Sequence, residues 1–165
     1  MNSIFKPIIL AVFLALQVAC GIYSFTGATI EVDTISIAFF ENRASLINPT
    51  LSQTFTESLK DRFISQSKLT LVDLNGEWQI KGAITNYRIS PIAATANQAS
   101  LNRLTIDVKV DFKDITKEGV AWTQGFSRFA DFDATQSLNS VEETLVEEVN
   151  EQLVNDIFNT VAVNW

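Results

Sequence analysis

The chain has 165 residues, 47% of them hydrophobic and 10% aromatic, which is enough for one domain with a sizeable core and too apolar for a disordered tail. Its formal net charge of −7 argues against a generic nucleic-acid surface. It holds no histidine and a single cysteine, which removes Ser/His/Asp and Cys/His catalysis, His-rich zinc sites, internal disulfides and multi-cysteine metal centres.

The N-terminus reads as a processing segment. Lys6 precedes IILAVFLAL (8–16), an uninterrupted apolar run about half as long as a membrane-spanning helix needs. Ala19 supplies the small residue expected before a cleavage point, and Cys20 follows it. The pattern resembles the lipobox of bacterial lipoproteins, with Val18 and Ala19 acceptable and Gln17 where an aliphatic residue is usual. The resemblance implies cleavage before Cys20, a thioether lipid on its sulfur and acylation of its new amino group. Several acyl chains anchor a protein stably where one binds only marginally. Residues 1–19 are then the signal peptide, 20–33 a lipidated N-terminus and tether, and 34–165 a single domain. Processing removes Lys6 and leaves 11 basic and 19 acidic side chains, formally −8.

The mature chain alternates strand and helix periods. TISIAFF (34–40) places Ile35, Ile37 and Phe39 on one side of a strand. From Asn48, a candidate cap, and Pro49, Leu51, Phe55, Leu59 and Phe63 recur every fourth residue over 48–67. That spacing builds one apolar stripe on a helix. LTLVDL (69–74) reads as a strand, and Asn75-Gly76 predicts a tight hairpin into EWQIKGAITNYRI (77–89). Alternation puts Trp78, Ile80 and Ile84 on one face of that return strand. Gln79, Lys81, Ala83, Thr85 and Tyr87 take the other. SPIAATANQAS (90–100) is a loop.

RLTIDVKVDFK (103–113) alternates strictly: Leu104, Ile106, Val108, Val110 and Phe112 face a core, and their charged neighbours face solvent. Asp107 and Asp111 then suit cross-strand ion pairs. VAWTQGFSRFADF (120–132) is a further strand in which Gly125 suggests a bulge or close contact. Ser140 and Glu143 form an S-x-x-E capping box for a last helix, whose stripe is Val141, Leu145, Val149, Leu153 and Ile157. Glu143, Glu147 and Glu151 lie off that stripe, and a solvated face accounts for them most simply. The order β-α-β-β-β-β-α predicts an α+β two-layer sandwich. Its sheet has four to five strands, mostly antiparallel or mixed, with both helices on one face and the other face wet or taken by a partner.

No catalytic constellation, metal site or cofactor motif emerges, so an enzyme is not expected. Gln79, Lys81, Tyr87, Arg88, Arg103, Lys109 and Arg128 lie on or beside the sheet. Of these, Lys81, Arg88, Arg103, Lys109 and Arg128 are candidate contacts for an anionic lipid or a partner, since Arg and Lys pair with phosphates. Ordinary solubility is the simpler explanation, because acids are interleaved with them.

The segments CGIYSFTGA (20–28), PTLSQTFTESLKDRF (49–63), NRLTIDVKVDF (102–112) and DIFNTVAVNW (156–165) together resemble a divergent branch of the lipopolysaccharide-assembly lipoproteins, the LptE family. Cys20-Gly21, Phe25, Gly27, Phe158-Asn159 and Trp165 carry the likeness, and Cys20 alone transfers position by position. The resemblance implies a lipid-anchored protein on the periplasmic face of the outer membrane. It would plug an LptD-like β-barrel, help that barrel assemble, and so support insertion of lipopolysaccharide into the outer leaflet. In some members lipopolysaccharide itself contacts basic residues of the sheet. An envelope lipoprotein that activates or scaffolds a cell-wall synthesis complex is the alternative.

Overall fold

The computed structural model describes residues 32–46, 48–92 and 100–162. Cys20, Phe25, Gly27, Trp165 and residues 93–99 of the loop expected over 90–100 lie outside them, while residues 90–92 of that expected loop are strand. β1 (Thr34–Ile37), β2 (Glu41–Asn42), α1 (Leu51–Gln66), β3 (Thr70–Leu71), β4 (Trp78–Ile92), β5 (Leu101–Asp114), β6 (Ala121–Asp133) and α2 (Leu138–Ala162) follow in order. The sheet order is β3-β1-β4-β5-β6, and β2 continues the edge of β4 beyond β1. β1 is parallel to β3 and β4, while β4, β5 and β6 form an antiparallel meander. The sheet is therefore mixed, and both helices cover one face, as the sequence pattern predicts.

The helix stripes carry the core. Leu51, Phe55, Leu59 and Phe63 are all buried, as are Leu145, Val149, Leu153 and Ile157. Each such side chain contributes about 1.5–3 kcal/mol relative to exposure. They meet Leu104, Ile106, Val108, Val110 and Phe112, the inward set of β5. Phe63 sets its ring edge against Phe158 at 5.1 Å, which ties α1 to α2. At one end of the sheet Trp78, Phe112 and Trp122 pack in series.

Two irregularities overturn the expected alternation. Ile37 pairs with Ile80, but Glu41 pairs with Ala83, so four steps along β1–β2 match three along β4. The extra residue turns Phe40 inward and leaves Phe39 58% exposed. Phe40 occupies the space above Gly82, where a Cβ would lie 2.3 Å from its ring. Its N–H, lost to the ladder, donates to Thr56 Oγ1 of α1 at 3.1 Å. On β4, Ile84 faces Val108 and Asn86 faces Asp107, so Thr85 is bulged. That bulge carries Tyr87 to the core side, where it is 3% exposed, rather than to the outer face.

The Asn75-Gly76 hairpin does not form. β3 pairs with β1 alone, and β1 separates it from β4. Asn75 takes the positive φ (56°) that its type allows, but it serves a crossing over β1. Gly76 N–H donates to Ser36 Oγ, and a Cβ at Gly76 would lie 2.4 Å from Ser36 N. Glu77 closes the crossing. One carboxylate oxygen accepts from the N–H groups of Asp33 and Thr34 and from the Thr34 hydroxyl. The two backbone donors hold this carboxyl below the usual range.

Three smaller expectations also change. Gly125 lies in unbroken register opposite Lys109, with open space where its Cβ would be, so it marks neither a bulge nor a contact. The last helix starts at Leu138, so Ser140 lies inside its first turn and bonds back to the Ser137 carbonyl. The capping box with Glu143 is thereby lost. The strand expected over 69–74 is two residues long.

Candidate functional site

The uncovered face of the β4–β5–β6 meander is the first candidate. Register gives its rows directly: Lys81, Asp111 and Thr123; then Ala83, Lys109 and Gly125; then Asn86, Asp107 and Ser127. Toward the Ile92 end of β4 come Arg88, Thr105 and Phe129, then Ser90, Arg103 and Asp131.

The expected ion pairs between the strand lysines and Asp107 or Asp111 are replaced by neutral donors. Asp107 accepts from Asn86 Nδ2 at 2.8 Å and from the Ser127 hydroxyl, and Asp111 accepts from the Thr123 hydroxyl. Among the described residues, none of Lys81, Arg88 and Lys109 forms a salt bridge. All three are exposed. This face therefore carries three exposed cations that make no direct salt bridge, with Asp107 and Asp111 interleaved among them.

Arg103 differs. It forks onto Asp131 with bonds of 2.7 and 2.8 Å, and its guanidinium lies 3.5 Å from the centroid of the Phe129 ring. Those bonds hold the Asp131 carboxyl below its ordinary value and raise Arg103 further. Arg128 differs again. It lies opposite Ile106, on the helix-covered side, and forks onto Asp156 of α2. The structure thus gathers Lys81, Arg88, Arg103 and Lys109 on one face and separates Arg128 from them.

Sequence reasoning missed the polar contacts between the layers. Tyr87 donates to Glu142 Oε1 at 2.6 Å, and Asn48 Nδ2 donates to the same oxygen at 3.0 Å. Asn48 Oδ1 accepts from the Thr50 and Leu51 N–H groups, so Asn48 caps α1 from two residues before Thr50. Burial raises the Tyr87 phenol well above its ordinary value, and the Glu142 carboxylate raises it further. Asn150 is 4% exposed, and Ser58 accepts from its Nδ2 at 2.9 Å. A legible signal existed, since Asn150 interrupts the apolar row of Val146 and Val154 beside the main stripe.

Asp114 is the one buried carboxylate among the described residues. Trp78 Nε1 donates to Oδ2, and the Thr116 N–H and hydroxyl donate to Oδ1. Burial works to raise its pKa, but these bonds outweigh it and the value is lowered. Its oxygens anchor the β5–β6 turn. Among the described residues no three of His, Cys, Asp and Glu converge on a metal position. No described helix is long and apolar enough to cross a membrane.

The family model for LptE, described as lipopolysaccharide-assembly, matches residues 32–161. The chain belongs to the LptE family. Membership implies a role in lipopolysaccharide assembly, in a family of generally non-enzymatic structural lipoproteins. LptE-like folds recur among solved structures. Rare lipoprotein B from Shewanella oneidensis is 14% identical over 79% of this chain and 94% of that one, with a TM-score of 0.54. A minor lipoprotein from Acinetobacter baumannii is 13% identical over 79% and 93%, with a TM-score of 0.53. The uncharacterized lipoprotein B from Nitrosomonas europaea is 16% identical over 79% and 83%, with a TM-score of 0.51. At such identities these neighbours support the LptE fold alone. No curated protein sequence matches significantly.

Proposed function

We propose that this LptE-family chain is an outer-membrane lipoprotein, anchored through Cys20 and facing the periplasm. In this reading residues 1–19 are removed, 20–33 tether the domain, and the domain plugs a β-barrel translocon and helps it assemble. Lipopolysaccharide then reaches the outer leaflet through that barrel. The family match over residues 32–161 carries the reading. The uncovered meander supports it, because a plug needs a face free of its own helices. Lys81, Arg88 and Lys109 are exposed there without salt bridges, a charge pattern that suits lipid phosphates.

Two measurements test the proposal together. Depletion is expected to lower lipopolysaccharide at the cell surface, and affinity capture from intact outer membrane is expected to retain a large β-barrel. Normal surface lipopolysaccharide with a normally assembled barrel would overturn it. Capture of a peptidoglycan enzyme in place of a barrel would move the function to cell-wall synthesis.

A further inference from the structure

α1 and α2 lie side by side and run in the same direction. Their contacts step along both together: Asn48 with Glu142, Ser58 with Asn150, Phe63 with Phe158. A groove runs between them on the side away from the sheet. Its two adjoining stretches share Ser58, Glu147 and Asn150, and reach from Asn139 to Val154 along α2. At the helical rise that is about 22 Å. The first stretch encloses about 700 Å³.

The two walls differ in chemistry. α2 contributes Glu143, Glu147 and Glu151, one per turn. α1 contributes the hydroxyls of Thr54 and Ser58 opposite them. Five lining residues are acidic, namely Asp61, Glu142, Glu143, Glu147 and Glu151, and Arg62 is the single basic one. Glu142 is already engaged by Tyr87 and Asn48. α2 contains no Lys or Arg, so nothing on its own helix neutralises this wall.

Acidic residues at this spacing fit a solvated face. The floor of the groove does not. Asn150 Oδ1 is buried with no hydrogen-bond partner, although its Nδ2 is satisfied by Ser58. Turning the amide over would leave the other end unpaired, because Ser58 offers one contact. A buried amide with an unmet bond costs about 1–3 kcal/mol unless something else meets it. The surrounding carboxylates decide what that is: a cationic donor.

We infer that this groove receives an extended, basic segment of a partner protein with Lys or Arg at alternate positions. The spacing argues for it. Residues four apart on α2 are about 6 Å apart along the axis. Alternate side chains of an extended chain are about 6.6–6.8 Å apart. Three alternate cations therefore meet Glu143, Glu147 and Glu151 in register, and a turn of the Asn150 side chain, whose Oδ1 is buried without a partner, brings that oxygen to a donor of the same segment. A compact cation would use one turn of the groove and leave the others unmatched.

Full-length protein in detergent, titrated into a labelled peptide at low salt, tests the assignment by fluorescence anisotropy. One peptide carries three arginines at alternate positions among serines, and its isomer carries them consecutively. The alternating peptide is expected to bind more tightly. Glu143→Gln with Glu147→Gln is expected to weaken it about five- to tenfold, as the loss of two partly screened ion pairs implies. Both residues are exposed and the fold does not depend on them. Glu148→Gln is the control, since Glu148 is exposed but does not line the groove. Asn150→Leu is expected to weaken the peptide as well as alter the melting temperature. Equal binding of the two isomers, an equal loss in Glu148→Gln, binding of spermine without the peptide, or an Asn150→Leu effect on melting alone would each overturn the inference.

Discussion

Tyr87 on β4 and Glu142 on α2 stand 55 residues apart and share a 2.6 Å hydrogen bond. The bond exists because the Thr85 bulge turns Tyr87 inward. Asn48 joins it through the same carboxylate oxygen, so sheet and both helix starts meet at one point. Tyr87→Phe keeps the ring and removes the donor. It is expected to cost about 1.5–3 kcal/mol, the range for a bond to a charged acceptor, measured by urea unfolding.

The same bond sets a pH dependence at the alkaline end. The folded-state value of Tyr87 lies above the unfolded value near 10. The native state therefore keeps a proton that the unfolded chain sheds, and unfolding becomes easier as pH rises. The contribution is complete below about pH 10 and is lost progressively above it. Unfolding midpoints between neutral and strongly alkaline pH are expected to fall less steeply in Tyr87→Phe than in the parent. Identical slopes would show that Tyr87 is not the responsible group.

Gly76 and Gly125 make a matched pair. A Cβ at Gly76 would meet the β1 backbone at 2.4 Å, and β1 cannot yield without breaking its ladders to β3 and β4. Gly76→Ala is expected to cost about 2–3 kcal/mol or more by overpacking. At Gly125 the space is open and no positive φ is required. Gly125→Ala is expected to be neutral or to stabilise by up to about 1 kcal/mol, through the unfolded chain. Chemical denaturation of both variants checks the contrast. A neutral Gly76→Ala would contradict the tight crossing over β1.

These cases show what a sequence pattern conveys and where it stops. The helices and β5 were legible because burial imposes one period over many residues: Leu51 to Phe63 in fours, Leu104 to Phe112 in twos. Tyr87 and Phe39 were misplaced because one bulged residue reverses every later face, and a bulge leaves no mark on hydropathy. Asn75-Gly76 was misread because a residue type that allows positive φ suits a crossing as well as a hairpin. The open face was half legible. Alternation placed Lys81, Arg103 and Lys109 outward, but only register separates Arg128, which reaches Asp156, from the rest. Asn48, Glu142 and Asn150 were illegible as a set because nothing local links residues so far apart in the chain.

The outer face can be tested without disturbing the core. Lys81→Gln, Arg88→Gln and Lys109→Gln remove three exposed cations that form no salt bridge among the described residues. Each is expected to change stability by less than about 0.5 kcal/mol. The triple variant is expected to retain less lipopolysaccharide at low salt, with the difference shrinking as salt rises. Arg103→Gln alone is expected to have a smaller effect on retention, because its charge is already matched by Asp131. It should instead return Asp131 toward the ordinary carboxylate value. Retention by the triple variant equal to the parent would remove these cations from any lipid contact.

Cys20→Ser tests the address of the molecule. The described domain begins at Val32, twelve residues beyond Cys20. A chain of that length reaches at most about 40 Å, so an anchor at Cys20 would keep the domain near the membrane surface. Serine cannot form the thioether, so the variant is expected to lose acylation and to appear in the soluble periplasmic fraction. The described core runs from Val32 to Ala162 and holds together without Cys20, so the variant is expected to melt as the parent does. The assay is fractionation with mass measurement of the N-terminal peptide, which reads the acyl chains directly. A Cys20→Ser protein still processed before residue 20 and still membrane-bound would end the lipoprotein assignment. Gln17→Leu supplies the complementary variant, since an aliphatic residue there restores the usual lipobox pattern. It is expected to speed processing without changing the mature product.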